Sequence, residues 1–342
     1  MTVTALRAKI KSADVGGAYL FSGEEDYLKK YYAAEIARIA CPDDAFAAFN
    51  KIVFEGEDID FAAIREALSA PPMFTEYKIV EHRYPDLEHT SESEKKALEQ
   101  LADLCRDYPY AVLIILTSED GFDAGSVRRP SKLAVRLGKK YNLVNFEKST
   151  DASLIPWIRK HIESCGVKAE GEVPSALIFR SGHSMQILAS EIEKLCAYAS
   201  ANGIDTITTE LVNLISSATS ECDAFALSGA ISDKNRTKAF AALYDMQLRR
   251  LDSPAILATL SRSFTEIATI GALLSEGKDA ADIEDILGWN SYKIKICINA
   301  ARRFGAQRLS AAISRLRELD GASKSGGISG MAPIEIFICE FI

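Results

Sequence analysis

The sequence predicts an α/β domain followed by an all-helical region, and three observations carry that prediction. Short β-rich runs alternate with helical patterns over residues 1–148, as in a parallel sheet flanked by helices. One of those runs, AVLIIL (Ala111–Leu116), is apolar at every position, the pattern of a strand covered on both faces. After Lys148 the strand signals stop and only helical periodicity remains. A chain of 342 residues also exceeds one ordinary core, since domains run to roughly 100–200 residues.

Taken in order, the expected strands are Ala18–Ser22, Lys51–Phe54, Tyr77–Glu81, Ala111–Thr117 and Tyr141–Phe146. Helical patterns lie between them at Glu25–Ile39, Phe61–Ser69, Glu92–Cys105 and Ser131–Lys139. Beyond residue 150 the sequence predicts helices over Ala152–Cys165, ended by Gly166, over Pro174–Arg180, ended by Gly182, and over Met185–Ala201. A short helix follows Thr208, whose hydroxyl suits the first-turn amides. From Asp223 the chain is again helical, with breaks at Ser253-Pro254, Gly277, Gly288, Gly305 and Gly321. Leu309, Ile313, Leu316 and Leu319 share one face of the last long pattern, with Arg308 and Arg315 on another. Residues 321–332 (GASKSGGISGMA) read as a loop before a final apolar helix, Pro333–Ile342. The expected division is therefore 1–148, 149–215 and 216–342.

Composition narrows the function classes. Hydrophobic residues at 48% and charged residues at 26% exclude a disordered or collagenous chain. The longest apolar run is far short of the ~20 residues a membrane helix requires, and the N-terminus has no apolar block of signal-peptide length. No membrane association and a cytoplasmic location are expected. Seven scattered cysteines and four histidines show neither C-x-x-C nor H-x-x-x-H spacing, so neither a disulfide framework nor a metal site is expected.

A net charge of -8 argues against simple electrostatic binding of nucleic acid. The charge is segregated, however. Residues 128–140 hold Arg128, Arg129, Lys132, Arg136, Lys139 and Lys140 with no acid. Residues 291–324 are rich in bases, among them Arg302, Arg303, Arg308 and Arg315, against only Glu318 and Asp320. These stretches are solvated helix faces or DNA-facing surfaces.

A strand, a glycine loop and a helix are where nucleotides usually bind. Here that segment reads Ser22-Gly23-Glu24-Glu25-Asp26-Tyr27-Leu28-Lys29-Lys30. A phosphate loop requires G-x-x-x-x-G-K-[ST], glycine freeing backbone amides to wrap phosphates and lysine neutralising them. Only Gly23 is present, three carboxylates would repel a triphosphate, and no Ser or Thr follows the lysines. The third strand, KIVEHR, offers only Glu81 for a magnesium ion. There is no G-x-S-x-G elbow and no H-E-x-x-H. Ser93–Lys96 matches S-x-x-K formally, on what reads as an exposed charged helix. No catalytic residue and no cofactor are expected.

The segment that stands out is Ala70-Pro71-Pro72-Met73-Phe74-Thr75. Two prolines end a helix and stiffen the turn. Met73 and Phe74 then place two large apolar side chains in what should be a surface connection. Either both tuck under the sheet, or they form a hydrophobic plug for a partner's pocket.

Taken together, these segments resemble one family, the delta subunit of the bacterial replicative clamp loader. AYLFSGEEDYLKKYYAAEI, PPMFTEYKIV, AVLIILTSE and SKLAVRLGKKYNLVNFEK resemble its first domain. SLIPWIRKHIESCGV, SGHSMQILASEIEKLCAYA and ITTELVNLIS resemble its second, and ARRFGAQRLSAAISRLRELDGASKSG its C-terminal collar. Order and spacing over roughly 320 residues make the match specific. The resemblance implies a RecA-like AAA+ domain lacking a phosphate loop, a helical lid and a helical collar that assembles a hetero-pentamer. It implies a subunit without ATP hydrolysis inside the DNA polymerase III holoenzyme, a DNA-directed DNA polymerase (a nucleotidyltransferase). The lid agrees: where ATPase subunits carry an arginine in a G-x-x-R setting, Gly182-His183-Ser184 leads here to Met185.

In this family an adjacent hydrophobic-Phe pair enters a pocket of the ring-shaped sliding clamp and opens the ring. Met73 and Phe74 match that pair, with Met where many members have Leu. Primer–template DNA is implied as a further partner of the assembly, with Arg128, Arg129, Arg302, Arg303, Arg308 and Arg315 as candidates to face it. The collar segment ILGWNSYKIKICINAARRF lacks the proline-containing stretch common in relatives, so its assembly contacts do not carry over. The rivals are an active AAA+ NTPase with a degenerate phosphate loop, and a DNA-binding adaptor without a clamp partner.

Overall fold

A computed structural model describes every residue except Val127, and all structural statements concern the described residues. The chain divides into two compact units, Met1–Lys148 and Ser149–Ile342. The first unit begins with α1 (Val3–Lys11), β1 (Gly17–Ser22), α2 (Asp26–Ala40), α3 (Asp44–Asn50) and β2 (Lys51–Glu55). It continues with α4 (Phe61–Ser69), β3 (Lys78–Arg83), α5 (Glu92–Asp107) and β4 (Ala111–Leu116). It closes with β5 (Gly125–Ser126), β6 (Arg129–Pro130), α6 (Lys132–Leu137) and β7 (Asn142–Asn145).

The five expected strands form one sheet in the order β2-β3-β4-β1-β7, parallel throughout. β4 is central, and its side chains explain the missing alternation. Ala111, Leu113 and Ile115 pack with α4 and α5 residues such as Leu68 and Leu101. Val112, Ile114 and Leu116 pack on the other face with Ile36 and Tyr32 of α2. Both faces are core, so every position is apolar. The register is set on both flanks of β1, where Leu20 faces Ile115 of β4 and Leu143 of β7.

Three features of this unit were not expected. α1 is a short amphipathic helix capped by Thr2 and buries only Leu6. β5 and β6 form a small antiparallel hairpin. α3 is the third, and Asp43 caps it by accepting from the Ala45 amide. Ser93 and Lys96 lie on the exposed first turns of α5, where Ser91 and Glu94 form a reciprocal capping box.

The second unit begins with α7 (Asp151–Ser164), β8 (Lys168–Ala169), α8 (Val173–Ser181), α9 (Met185–Ala201), β9 (Thr206–Ile207) and α10 (Thr209–Ile215). It continues with α11 (Ser220–Ser232), α12 (Arg236–Leu248) and α13 (Ser253–Ser275). It ends with α14 (Ala280–Leu287), α15 (Ser291–Phe304), α16 (Ala306–Lys324) and α17 (Ala332–Phe341). Thr208 caps α10 as expected, accepting from the Leu211 amide at 3.3 Å.

The expectation that strands cease after Lys148 needs one correction. β8 and β9 make a two-residue parallel pair, too short to leave a periodic signal. A second correction concerns Gly321. It does not break the chain, and α16 runs on to Lys324, held by an Asp320–Lys324 pair one turn apart at 2.6 Å. Leu309, Leu316 and Leu319 are buried and Ile313 partly so.

One apolar core runs from Phe225 to Ile338, with Phe264 edge-on to Phe304 and Phe337. Residues before and after 216 share this unit. Phe179 meets Phe225 at 5.6 Å, and Asn290 donates to Asp151 at 2.6 Å. Lys295 pairs with Glu172 at 2.9 Å.

Candidate partner-binding loop

The loop from Ala70 to Tyr77 joins α4 to β3, and its shape begins with the prolines. α4 stops at Ser69 with Ala70 in extended backbone, as a residue preceding proline must be. Neither Met73 nor Phe74 tucks under the sheet. Met73 is 48% exposed and Phe74 81% exposed. Phe74 also sits at φ 62°, a left-handed conformation costing a non-glycine residue roughly 1–2 kcal/mol. An exposed aromatic in strained backbone persists only where its neighbours hold it.

Those neighbours come from α3. Asn50, the last residue of that helix, is wholly buried. Its Oδ1 accepts from the Met73 amide at 2.7 Å, and its Nδ2 donates to the Met73 carbonyl at 2.7 Å. The same Nδ2 donates to the Phe46 carbonyl at 3.1 Å. The Phe46 ring lies 5.3 Å from that of Phe74. Lys78 Nζ donates to the Phe49 carbonyl at 2.5 Å, satisfying a terminal acceptor of the same helix. The apolar tip therefore rests on a short helix that periodicity did not show. The available signal was Asp43-Asp44 ahead of Ala-Phe-Ala-Ala-Phe-Asn, an N-cap followed by seven helical residues.

The loop after β1 is arranged quite differently. Lys29 is buried, and its ammonium donates to the Gly23 and Thr117 carbonyls, each at 2.7 Å. It also lies 2.7 Å from Asp26 Oδ1. The Glu25 amide donates to the Phe146 carbonyl at 3.1 Å. A Cβ on Gly23 would stand 2.3 Å from that same carbonyl oxygen, so the glycine serves backbone packing. Glu81 is buried and held by Arg83 at 2.6 Å and Lys51 at 3.5 Å. Its carboxylate holds the Arg83 guanidinium above its ordinary range.

The six candidate arginines fall into two classes. Arg128 and Arg129 are exposed at the β5–β6 hairpin and Arg302 is exposed at the end of α15. None of the three has an ion pair among the described residues. Arg303 pairs with Asp233. Arg308 donates to the Phe341 carbonyl and stacks on Phe304. Arg315 holds Glu340 at 2.7 Å and Glu318 at 2.9 Å, and these carboxylates raise its pKa. Of the other bases in the 128–140 stretch, Arg136 and Lys140 are matched by α5, while Lys132 and Lys139 are exposed with no ion pair among the described residues. Arg136 meets Glu99 and Glu92, and Lys140 meets Asp103.

Arg302 also lies on the rim of a groove of about 610 Å³ lined by small and apolar residues of α13 and α16, including Gly271, Ala272, Leu309 and Ile313. No helix among the described residues is long and apolar enough to cross a membrane.

Two family models match the chain. One, described as "DNA polymerase III, delta subunit", matches residues 19–147. The other, "DNA polymerase III delta subunit, C-terminal domain", matches residues 221–341. The DNA polymerase III subunit delta of Bacillus subtilis (strain 168) is 24% identical over 344 residues, covering 97% of this chain and 95% of its own. The solved structure of the Bacillus subtilis DNA clamp loader delta protein shares 20% identity and covers 99% of each chain, with a TM-score of 0.56. That likeness establishes a common fold, the α/β plus all-α class expected from the sequence.

Proposed function

Because the chain belongs to the DNA polymerase III delta-subunit family, we propose that it is a clamp-loading subunit whose Met73 and Phe74 grip the sliding clamp. The observation that carries this reading is the Met73–Phe74 tip, apolar, exposed and held in strained backbone. Burying a phenylalanine in a partner's pocket is worth about 1.5–3 kcal/mol. If the pocket fits the tip better when the ring is open, that difference shifts the clamp toward the open state. No covalent chemistry is required of this chain.

The remaining partners follow the same reading. Residues 216–342 join the other loader subunits in a hetero-pentamer, and the α13–α16 groove offers them an apolar surface. Residues 149–215 act as the lid. Primer–template DNA in the assembly meets Arg128, Arg129 and Arg302 before Arg303, Arg308 and Arg315, because the latter three are already matched within the chain. The NTPase rival is disfavoured by Lys29, whose ammonium is engaged by Gly23 of the loop preceding α2 and by Thr117 just after β4. Calorimetric titration with ATP should show no tight binding to the isolated chain.

The decisive experiment is co-elution with the sliding clamp of the same organism. Wild type should co-elute, and Met73→Ala/Phe74→Ala should not, with an affinity loss of at least about thirty-fold, the scale of a hot-spot residue. Equal co-elution of both proteins would remove the central claim.

A further inference from the structure

We infer that Asn50 is the positioning residue of the clamp-binding tip, presetting the direction in which Met73 and Phe74 leave the backbone. The inference rests on the reading that this tip binds the clamp.

The chemistry is that of a carboxamide used as a piece of backbone. An asparagine side chain carries one carbonyl and one amide group, the pair a residue of a neighbouring strand would present. Asn50 applies both to a single residue, accepting from the Met73 N–H and donating to the Met73 C=O, each at 2.7 Å. In an antiparallel ladder this double exchange defines a hydrogen-bonded pair and fixes the orientation of the residue it engages. Here one side chain does the same for a loop that belongs to no sheet. Both peptide planes flanking the Met73 Cα are thereby held, and Phe74 follows directly.

Two further features separate this from an incidental contact. Asn50 is wholly buried, so water does not compete for its carboxamide. Its second amide proton goes to the Phe46 carbonyl one turn earlier, which locks the side chain that does the locking. Phe46 in turn places its ring against Phe74, which occupies the left-handed region at φ 62°. Met73 and Phe74 are thus exposed without being loose. A tip held in its binding shape avoids the ordering cost of association. If only one tenth of the molecules held that shape, apparent affinity would fall about ten-fold with no contact to the clamp removed.

The test uses the full chain and the sliding clamp of the same organism. Four proteins are compared: wild type, Asn50→Ala, Asn50→Asp and Phe74→Ala. Clamp affinity and peptide-resolved hydrogen exchange are measured on each. In wild type the Met73 amide should exchange at least about a hundred-fold more slowly than an unprotected loop amide, because its acceptor is buried. Asn50→Ala should abolish that protection and weaken clamp binding about ten-fold. Asn50→Asp retains the acceptor for the Met73 amide and loses the donor, so it should recover part of both. Exchange of the Ala111–Leu116 strand, unchanged in each variant, confirms the fold.

An unprotected Met73 amide in wild type overturns the inference without reference to any variant, even if Asn50→Ala fails to fold. Wild-type affinity in a folded Asn50→Ala, with Phe74→Ala defective, overturns the role of Asn50 and leaves the clamp-binding reading standing. Wild-type affinity in Phe74→Ala overturns the reading itself.

Discussion

Two loops of the first unit make opposite use of their most conspicuous side chains. After β1, Lys29 turns inward and its ammonium is consumed by the Gly23 and Thr117 carbonyls and Asp26. Between α4 and β3, Met73 and Phe74 turn outward although both are apolar. A buried charge must be paired and a surface apolar group need not be covered. The first loop therefore has its chemistry satisfied internally, and the second leaves apolar surface uncovered. The place where an α/β fold usually carries out chemistry is closed here, and an ordinary connection is the exposed one.

The largest expected effect separates the two loops by stability. Lys29→Met leaves the buried Thr117 carbonyl and the part-buried Gly23 carbonyl unmatched and should cost about 2–4 kcal/mol in urea unfolding, with clamp affinity of the folded fraction unchanged. Phe74→Gly should do the reverse. Stability should stay within about 1 kcal/mol of wild type, because relief of the left-handed backbone offsets the added chain entropy, while clamp co-elution is lost. A stable Lys29→Met protein, or a clamp-binding Phe74→Gly protein, would erase the contrast.

The two classes of arginine extend the comparison to charge. Replacing Arg128 and Arg129 by Ala should lower the salt slope of DNA binding by the assembled loader by up to about 2, since each phosphate contact contributes roughly 0.9. Arg308→Ala and Arg315→Ala should leave the slope unchanged and loosen the packing of α17 instead. Equal slopes for all three variants would show that internal pairing does not sort these residues.

The smallest effect lies at the end of β3. His82 is buried, desolvation pushes its pKa below the ordinary value, and its Nδ1 has no hydrogen-bond partner among the described residues. The folded state therefore binds this proton less readily than the unfolded chain. Stability from this group is complete above the unfolded value of about 6.5 and is lost as pH falls below it, toward the folded value. His89 is raised by its hydrogen bond to Asp86 and works in the opposite sense. Urea unfolding of wild type and His82→Gln between pH 7.5 and 5.5 should show a shallower decline in the variant. Parallel curves would remove His82 as the source.

The fold was legible where burial writes a period into the residues. AVLIIL announced a two-faced strand, and the Gly and Pro breaks bracketed most helices. Gly321 misled, because one glycine is tolerated when Asp320 and Lys324 and the flanking leucines continue the helix. The apolar pair at the tip was equally legible, since two prolines and two large side chains are a local pattern. Asn50 was not. A polar residue at the end of a seven-residue helix looks like any other until the chain returns 23 residues later to place Met73 against it.

Residue order alone thus determined the α/β-then-helical architecture, the lack of a phosphate loop and the presence of a large apolar pair after the two prolines, all consequences of local composition and short-range periodicity. Tertiary structure decided which charges are already matched, that Lys29 of α2 closes the loop before it, and that Met73 and Phe74 stay exposed on a clamped backbone. These depend on partners distant in sequence. Hydrogen bonds and ion pairs act over a few ångströms, so their outcome is set only once folding has brought those partners together.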